Sequence, residues 1–441
     1  MRKPMQPGRG GYVTNWGGNQ SWRPSAFVRP SSEDDVAAQI TKAAAGGGTV
    51  RAIGSAHSFT ATAVTNGVQI ELSNLDEVYE VDTTTKRVTV GAGMSILAFN
   101  ELLAQHGLAM TNMGDIGYQS LAGAVSTGTH GTGAAYGGIA TQIVGLRLIA
   151  ADGSIHDVDE SDPSLLNAAR VSLGALGVIT RVTIQCVDPF NLHAVETKHS
   201  LDDLLAGEWD EIAASTDHAE FFWMPGTRNA LVKRNTRTQE PVRTSRIDHF
   251  TSRVLGENIG FGLVNRVGRR FPAAVPTIAK LVAGGSDDRD FVDRNDKVFM
   301  SPRYVKFVEM EYGLPVEDLC EAVGRINALC RELRKPITFP IEVRVAAADD
   351  IHLSTASGRD SGYVACHVYQ GTSYDGYFQG VEAIMDDYAG RPHWGKVHFR
   401  TAAALRERYP KFDDFLAVRK RLDPEGVFAN AYLDRVLGAG L

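Results

Sequence analysis

A long glycine-rich stretch with almost no periodicity constrains this chain most strongly. Residues 111–138 read TNMGDIGYQSLAGAVSTGTHGTGAAYGG. The irregular spacing of apolar residues predicts neither a long helix nor a strand. A structureless connection of this length inside a compact domain is usually functional. Its many backbone N–H groups and the hydroxyls of Ser120, Ser126, Thr127 and Thr129 suit a bound pyrophosphate. The alternative is a glycine-rich surface loop.

A second loop of small residues carries a histidine. Residues 51–61 read RAIGSAHSFTA, so His57 stands between Ala56 and Ser58 directly after a short apolar strand. Small neighbours leave room for the backbone to approach another group. Taken alone, the loop is equally typical of a surface turn with an incidental histidine.

Composition limits the kind of protein that can carry these loops. A chain of 441 residues favours two domains of unequal size, and 43% hydrophobic with 22% charged residues is typical of a globular protein. The net charge of −7, without a basic stripe, argues against nucleic-acid binding. No window is apolar enough to span a membrane, and no secretory signal begins the chain. Four scattered cysteines predict reduced thiols and a cytoplasmic protein.

The order of predicted elements indicates an α+β fold in two parts. Ser31 and Ser32 begin a helix that ends at the glycines 46–48, and TVRAI follows as a strand. VYEVD with RVTVGAG predicts one hairpin, and TQIVGLRLIAADGSIHDVD predicts another around Asp152-Gly153. After about residue 190, longer helices alternate with strands. Residues 235–300 are the least interpretable stretch.

One motif imitates a dinucleotide-binding fingerprint. VTVGAGMSILAFNELL contains Gly91-x-Gly93 between a strand and a helix. The third glycine that close helix–strand packing requires is replaced by Ile96, and the strand belongs to a predicted hairpin rather than a βαβ unit. A nicotinamide cofactor is therefore disfavoured. The chain also lacks a GKS or GKT phosphate loop and an HExxH zinc motif.

Two strands of the second part carry polar residues on one face. In TFPIEVRVA, apolar residues alternate with Glu342 and Arg344; in GYVACHVYQG, Tyr363, His367 and Tyr369 share a face. Residues at i and i+2 lie roughly 7 Å apart along a strand, so these side chains can enter one pocket. A solvated face with an ion pair is the alternative.

The segment RPHWGK places Lys396 after a Trp-Gly turn. A single loop lysine usually serves solubility. His393 and His398 have no carboxylate or thiol at ligand spacing nearby, so no metal site is predicted.

Together these segments resemble a known family. GSAHSF, SLAGAVSTGTHGTG, SLGALGVIT, EVR and HWGK, in this order, are similar to the vanillyl-alcohol-oxidase-type flavoproteins, and among them to aldonolactone oxidases and dehydrogenases and to alditol oxidases. The resemblance runs from about residue 15 to 437. It implies an FAD-binding domain of two α+β halves over residues 1–188. A cap domain with an antiparallel sheet flanked by helices follows over 189–441, and its last segment returns to the flavin.

The resemblance also implies cofactor contacts. His57 matches the histidine that many members bond covalently to the flavin 8α-carbon, and Ala56 stands where close relatives usually have glycine. The other implied FAD contacts are Ile53, Gly54, Ser55, Ala56, Ser58, Gly114, Asp115, Ser120, Gly123, Ala124, Ser126, His130, Gly174, Gly177 and Ile179.

The implied chemistry is hydride transfer from a C–H beside a hydroxyl to flavin N5. Such a reaction needs cations that stabilise a developing alkoxide. Arg344 is expected at the substrate oxygen, with Glu342 orienting it or binding a hydroxyl. Lys396 is expected near the reacting oxygen or the flavin edge, and His367 in proton transfer or hydroxyl binding.

The substrate is expected to be an aldonolactone. Gly114-Asp115 is similar to the sequence of gulonolactone enzymes, and Tyr369 favours the same branch, with Asp115 and Tyr369 as substrate contacts. Gly114 is expected to leave space for dioxygen, although another electron acceptor fits equally. An alditol such as xylitol or sorbitol remains the alternative substrate, and a flavin- or sugar-binding protein without turnover is the alternative function.

Overall fold

Three small sheets occupy the first 185 residues of the computed structural model, which describes residues 5–244, 288–301, 303, 305–333 and 337–439. An N-terminal hairpin pairs β1 with β2, a parallel sheet has the order β3-β5-β4, and an antiparallel sheet has the order β6-β7-β10-β8-β9. The strands of this part are β1 (Val13–Thr14), β2 (Ser21–Trp22), β3 (Ala26–Val28), β4 (Val50–Ile53), β5 (Val68–Glu71), β6 (Val78–Asp82), β7 (Arg87–Gly91), β8 (Ile143–Ile149), β9 (Ile155–Asp159) and β10 (Val178–Gln185).

Side-chain caps define the helices of this first part. The helices are α1 (Glu33–Ala45), α2 (Ile96–Gln105), α3 (Leu121–Ser126) and α4 (Pro163–Arg170). Ser32, Ser95, Ser120 and Asp162 each accept a hydrogen bond from a backbone N–H of the first turn that follows. Both predicted hairpins are confirmed as β6–β7 and β8–β9. The glycine-rich tract differs from the prediction, because the capped and buried α3 interrupts it.

An eight-stranded antiparallel sheet forms the second part, with order β14-β11-β13-β12-β16-β17-β15-β18. Its strands are β11 (Asn191–Ser200), β12 (His218–Trp223), β13 (Asn229–Thr238), β14 (Arg289–Arg294), β15 (Phe307–Pro315), β16 (Ile341–Ala346), β17 (Ser361–Tyr369) and β18 (Arg391–Pro392). The predicted α+β class is confirmed. Residues 245–287, which belong to the least interpretable stretch of the sequence (235–300), lie outside the described residues.

Helices cover this sheet and return the chain to the first part. They are α5 (Leu201–Asp203), α6 (Trp209–Ser215), α7 (Asn295–Phe299), α8 (Leu319–Glu332), α9 (Tyr377–Asp387), α10 (Ala402–Arg406), α11 (Phe412–Leu422) and α12 (Ala431–Leu437). Helices α8 and α9 pack in the core of the large sheet, whereas α10–α12 pack in the core of the first part. The N–H of Val50 in β4 donates to the carbonyl of Val427 at 2.8 Å. No helix in the described part of the chain is long and apolar enough to cross a membrane.

Candidate functional site: a flavin cleft beside a buried polar cluster

A cleft lies where the His57 loop, α3 and the turn before β10 meet. Cofactor and small-molecule sites are concave surfaces of this kind, lined by a few well-placed polar groups. Twelve of the residues predicted to contact FAD line it: Ile53, Gly54, Ser55, Ala56, His57, Ser58, Ser120, Gly123, Ser126, Gly174, Gly177 and Ile179. Three segments that are distant in sequence therefore converge on one cavity, and their small residues and hydroxyls fit a flavin dinucleotide.

The His57 loop lies unusually close to the start of α3. A Cβ added at Gly54 would clash with Oγ of Ser120, the residue that caps this helix. Ser55 Oγ donates to the carbonyl of Tyr118 at 2.6 Å and accepts from the N–H of Ser120 at 3.1 Å. The absence of a side chain at Gly54 is what permits this approach.

Ala56 adopts a left-handed backbone conformation with φ of 50°. An L-residue with a Cβ is strained there, whereas glycine is not. The resemblance placed glycine at this position, so the strain belongs to this chain's own alanine. Trp16 fixes the conformation, since its N–H donates to the carbonyl of Ala56 at 2.8 Å.

Ala56→Gly is expected to raise the free energy of unfolding by up to about 1 kcal/mol, because relief of the left-handed strain exceeds the added entropy of the unfolded chain. Urea unfolding measures the change. Ala52→Gly, in β4 of the same segment, is the matched control and is expected to lower that free energy by up to about 1 kcal/mol. Equal destabilisation by both substitutions would contradict the strain at Ala56.

His57 packs against an aromatic residue that sequence reasoning did not single out. The ring centroids of His57 and Trp16 are 5.5 Å apart with an interplanar angle of 30°. Asn15 Nδ2 donates to the carbonyl of Ser58 at 2.9 Å. The N-terminal hairpin thus supports the loop on the side of the histidine ring.

Four predicted cofactor contacts do not line the cleft: Gly114, Asp115, Ala124 and His130. Ala124 is fully buried within α3. A Cβ added at Gly114 would lie 3.0 Å from the carbonyl oxygen of His130 and 3.3 Å from Thr129 Cγ2. A side chain at Gly114 would therefore be crowded, and the space for dioxygen beside this glycine stays a prediction.

The predicted polar residues of the second part share one face of the large sheet. Register pairs Glu342 with Ala365 and Arg344 with Tyr363 between β16 and β17, and it pairs Glu309 of β15 with His367. Tyr369 lies two residues beyond His367 on the same strand, with its ring centroid 6.4 Å from that of Phe339. Every residue of β16 is buried, so the expected polar face is covered rather than solvated.

Arg344 is held by two carboxylates, one on its own strand β16 and one on β15, which lies on the far side of β17. Its Nη2 donates to Glu311 Oε1 at 2.5 Å, and its Nε lies 3.4 Å from Glu342 Oε1. Burial would raise the pKa of Glu311, but Arg344 and His130 outweigh it and hold that pKa well below its usual range. Burial dominates for Glu342, whose pKa rises to about 7 against the opposing effect of Arg344.

Lys396 and His367 meet at a second buried carboxylate. Lys396 Nζ forms an ion pair with Glu309, and His367 Nε2 lies 3.6 Å from Glu309 Oε1. His367 Nδ1 donates to the carbonyl of Pro340 at 3.1 Å. That bond leaves Nε2 as the acceptor in the neutral ring, and burial keeps the ring neutral by lowering its pKa to about 4.

Asp115 joins the polar cluster from the glycine-rich tract. Arg303 Nε donates to Asp115 Oδ2 at 3.1 Å. Burial would raise the pKa of Asp115, but Arg303 and Arg344 outweigh it and lower that pKa. Asp115 therefore lies among the cations of the cluster rather than along the cleft.

Direct hydrogen bonds join the polar cluster to the cleft. Phe59 N–H donates to the carbonyl of Gly395 at 2.7 Å, and Thr60 Oγ1 donates to that of Trp394 at 2.9 Å. Lys396 Nζ lies 5.5 Å from the centroid of the Phe59 ring. The HWGK segment and the His57 loop are therefore neighbours, as their shared family resemblance implied.

Among the described residues, His130, Glu311 and His393 have donor atoms within 4.8 Å of one another, as metal ligands do. Sequence spacing could not reveal this group. Gly395 N–H donates to His393 Nδ1 at 3.0 Å, which places the proton of the neutral ring on Nε2. Glu311 is engaged by Arg344 as well. The hydrogen bonds thus favour a neutral histidine beside an ion pair over a metal centre.

Sequence reasoning missed two carboxylates of this cluster, Glu309 and Glu311. Both are on β15, where FVEMEYG alternates apolar and acidic residues just as FPIEVRVA alternates apolar and charged ones. The same alternation would have identified them. Arg303 was missed as well, and its neighbourhood in sequence gives no comparable signal.

Comparison with known proteins agrees with this arrangement. The sequence profile of an FAD binding domain matches residues 24–159, and that of D-arabinono-1,4-lactone oxidase matches residues 182–436. L-gulono-1,4-lactone dehydrogenase of Mycobacterium tuberculosis is 47% identical over 96% of this chain and 99% of its own length. L-gulonolactone oxidase of Bos taurus is 32% identical over 96% and 97%, and alditol oxidase of a Streptomyces species 30% identical over 96% and 99%.

Among solved structures, cholesterol oxidase from B. sterolicum is similar with a TM-score of 0.81 at 18% identity, over 99% of this chain and 100% of that one. At this identity the likeness concerns the fold alone. The lactone oxidase profile covers more than half of the chain, and the relatives match nearly all of it. The chain therefore carries an FAD binding domain and belongs to the D-arabinono-1,4-lactone oxidase family.

Proposed function

We propose that this protein is an FAD-dependent oxidoreductase that oxidises a CH–OH group of an aldonolactone of the L-gulono-1,4-lactone type. Electrons pass on to dioxygen, giving hydrogen peroxide, or to another acceptor. The observation that carries the proposal is the cluster of the buried Arg344, Glu342 and His367 with the half-buried Lys396, hydrogen-bonded through its loop to the cleft of the His57 segment. The mycobacterial relative, 47% identical, supports the lactone as substrate.

The residues of the cluster have separate roles in this reaction. FAD, when bound, supplies the hydride acceptor. Arg344 and Lys396 stabilise the negative charge that develops on the substrate oxygen as the C–H bond breaks. His367 Nε2 accepts the hydroxyl proton, since Nδ1 is already engaged by the carbonyl of Pro340. Glu342 orients Arg344 and binds a neighbouring hydroxyl, and Asp115 and Tyr369 contact the substrate.

We further propose that His57 is bonded covalently to the flavin 8α-carbon. Its position on the cleft wall and its packing against Trp16 support this. After acid precipitation and proteolysis, the yellow colour should remain with the peptide that contains His57, and His57→Ala should release it. Flavin that washes free from the unaltered protein would contradict the covalent bond and leave the non-covalent site intact.

The division into a domain of residues 1–188 and a cap of 189–441 is part of the same proposal. The three small sheets precede residue 188 and the eight-stranded sheet follows it, which supports this boundary. The four cysteines are free thiols, which supports a cytoplasmic location.

A substrate screen tests the proposed function. L-gulono-1,4-lactone, xylitol and sorbitol are compared under air by peroxide release and under nitrogen by reduction of a dye. We expect the lactone to give the highest kcat/KM. A higher kcat/KM for xylitol would indicate that the substrate is an alditol and not a lactone. No turnover with any of the three compounds would favour a binding protein.

The pKa of Glu342, raised to about 7 by burial, predicts the pH dependence. The carboxylate form orients Arg344 and accepts a hydroxyl hydrogen bond, so kcat/KM should rise with pH through about 7. Glu342→Gln should lower kcat/KM and remove this rise, because glutamine does not titrate. A pH profile that keeps the same inflection in the Gln variant would contradict the assignment.

A further inference from the structure

Strand β15 places two buried carboxylates beneath the proposed cations. Glu309 and Glu311 are 2% and 1% exposed, and as residues i and i+2 they face the same side of the sheet. Glu311 contacts Arg344, and Glu309 contacts Lys396. Each cation of the proposed reaction therefore has its own carboxylate on one strand.

Glu309 holds the Lys396 segment in two ways. Its side chain forms the ion pair with Lys396 Nζ, and its backbone carbonyl accepts from Val397 N–H at 2.8 Å. The other carboxylate oxygen lies 3.6 Å from His367 Nε2. One side chain therefore contacts both the ammonium and the imidazole that the proposed reaction uses.

Stability alone gives little reason for such an arrangement. A buried ion pair loses the hydration of both charges, and an apolar pair of similar volume is often as stable. A lysine side chain is long and flexible, however, and fixing its ammonium carries an entropic cost. A buried carboxylate pointing at Nζ from a rigid strand selects one position for it.

We propose that Glu309 is a positioning residue, which fixes Lys396 Nζ against the reacting oxygen of the substrate. This inference rests on the proposed function. Among the described residues, the charged or titratable groups that face Glu309 include Lys396 from the segment after β18, His367 from β17, Arg344 from β16, and Glu311 on its own strand. Glu309 acts through Lys396 and does not itself contact the substrate.

A double-mutant cycle tests the proposal in the FAD-loaded enzyme. Glu309→Gln should lower kcat by about 10- to 100-fold with less change in KM, because displacement of a catalytic group by about 1 Å has effects of this size. Lys396→Met should lower kcat further. The double variant should be no slower than Lys396→Met alone, since Glu309 then has no ammonium left to position.

Glu382→Gln is the matched control. Glu382 is also a buried carboxylate, accepts from Phe399 N–H at 2.8 Å and contacts the Tyr312 hydroxyl from the opposite face of β15. Its kcat should remain unchanged, even if its melting temperature falls. Glu309→Asp keeps the negative charge on a side chain that is one methylene shorter, so the kcat of this variant should fall as well. This variant tests the positioning role even if Glu309→Gln folds poorly.

Unchanged kcat in Glu309→Gln, or additive losses in the double variant, would overturn the positioning role. These outcomes are distinct from failure of the proposed function, because the cycle uses whichever donor the unaltered enzyme oxidises. If no lactone or alditol is oxidised, the proposed function fails first and the positioning role fails with it.

Discussion

Replacing Arg344 with methionine is expected to lower kcat by about 10²- to 10³-fold, the loss that follows removal of one preorganised charge-stabilising donor. Arg344 lies at the centre of the polar cluster, 2.5 Å from Glu311 and 3.4 Å from Glu342. FAD should remain bound, because Arg344 does not line the cleft. Steady-state kinetics with the lactone, together with the flavin spectrum of the purified variant, measure both effects.

The same substitution should destabilise the fold, and a second variant separates the two effects. Removing the cation leaves buried carboxylates without their partner, which is expected to cost about 3–5 kcal/mol of unfolding free energy. Arg344→Met combined with Glu311→Gln should recover part of that stability and none of the activity. Full turnover and affinity in Arg344→Met would show that the substrate oxygen is bound elsewhere.

Replacing Arg51 with methionine is expected to lower the free energy of unfolding by more than about 3 kcal/mol, since each unsatisfied buried carbonyl costs about 1–3 kcal/mol. Arg51 is 2% exposed and lines the cleft. Its guanidinium donates to four backbone carbonyls, those of Thr62, Leu173, Gly174 and Phe428, at 2.5, 2.6, 2.8 and 2.8 Å. It joins β4, the turn before β10 and the C-terminal segment.

Arg87→Met is the matched control for Arg51. Arg87 pairs with Glu160 at 2.7 Å on the surface, where an ion pair contributes at most about 1 kcal/mol. Urea unfolding compares the free energies of unfolding of the two variants. Equal stability of Arg51→Met and Arg87→Met would contradict the role of Arg51 as the buried link between these three segments.

Local patterns predicted much of the fold. The Asp152-Gly153 turn, the serine before α1 and the polar alternation of β16 and β17 are properties of adjacent residues, and all appear in the structure. Helix α3 was not predicted, because its six residues lie inside a glycine-rich tract and are too few to show a helical periodicity. Its buried contacts stabilise it in the folded chain.

Long-range contacts account for what the sequence could not predict about the site. The sequence pattern predicts only that Arg51 lies in a strand. Its hydrogen bond to the carbonyl of Phe428 joins two residues that are separated by most of the sequence. Likewise, the approach of Glu311 to His130 and His393 depends on three segments that only the folded chain brings together. The crowding beside Gly114 comes from Thr129 and His130, residues of the same tract that fold back towards it.

Anaerobic titration of the purified, FAD-loaded protein with L-gulono-1,4-lactone tests the central claim most directly. The account predicts that the lactone bleaches the yellow flavin absorbance of the unaltered protein. It also predicts that Arg344→Met, with its FAD still bound, bleaches about 10²- to 10³-fold more slowly. If the unaltered protein stayed yellow at saturating lactone, or if Arg344→Met bleached at the same rate, the cluster around Arg344 would not be the site of lactone oxidation.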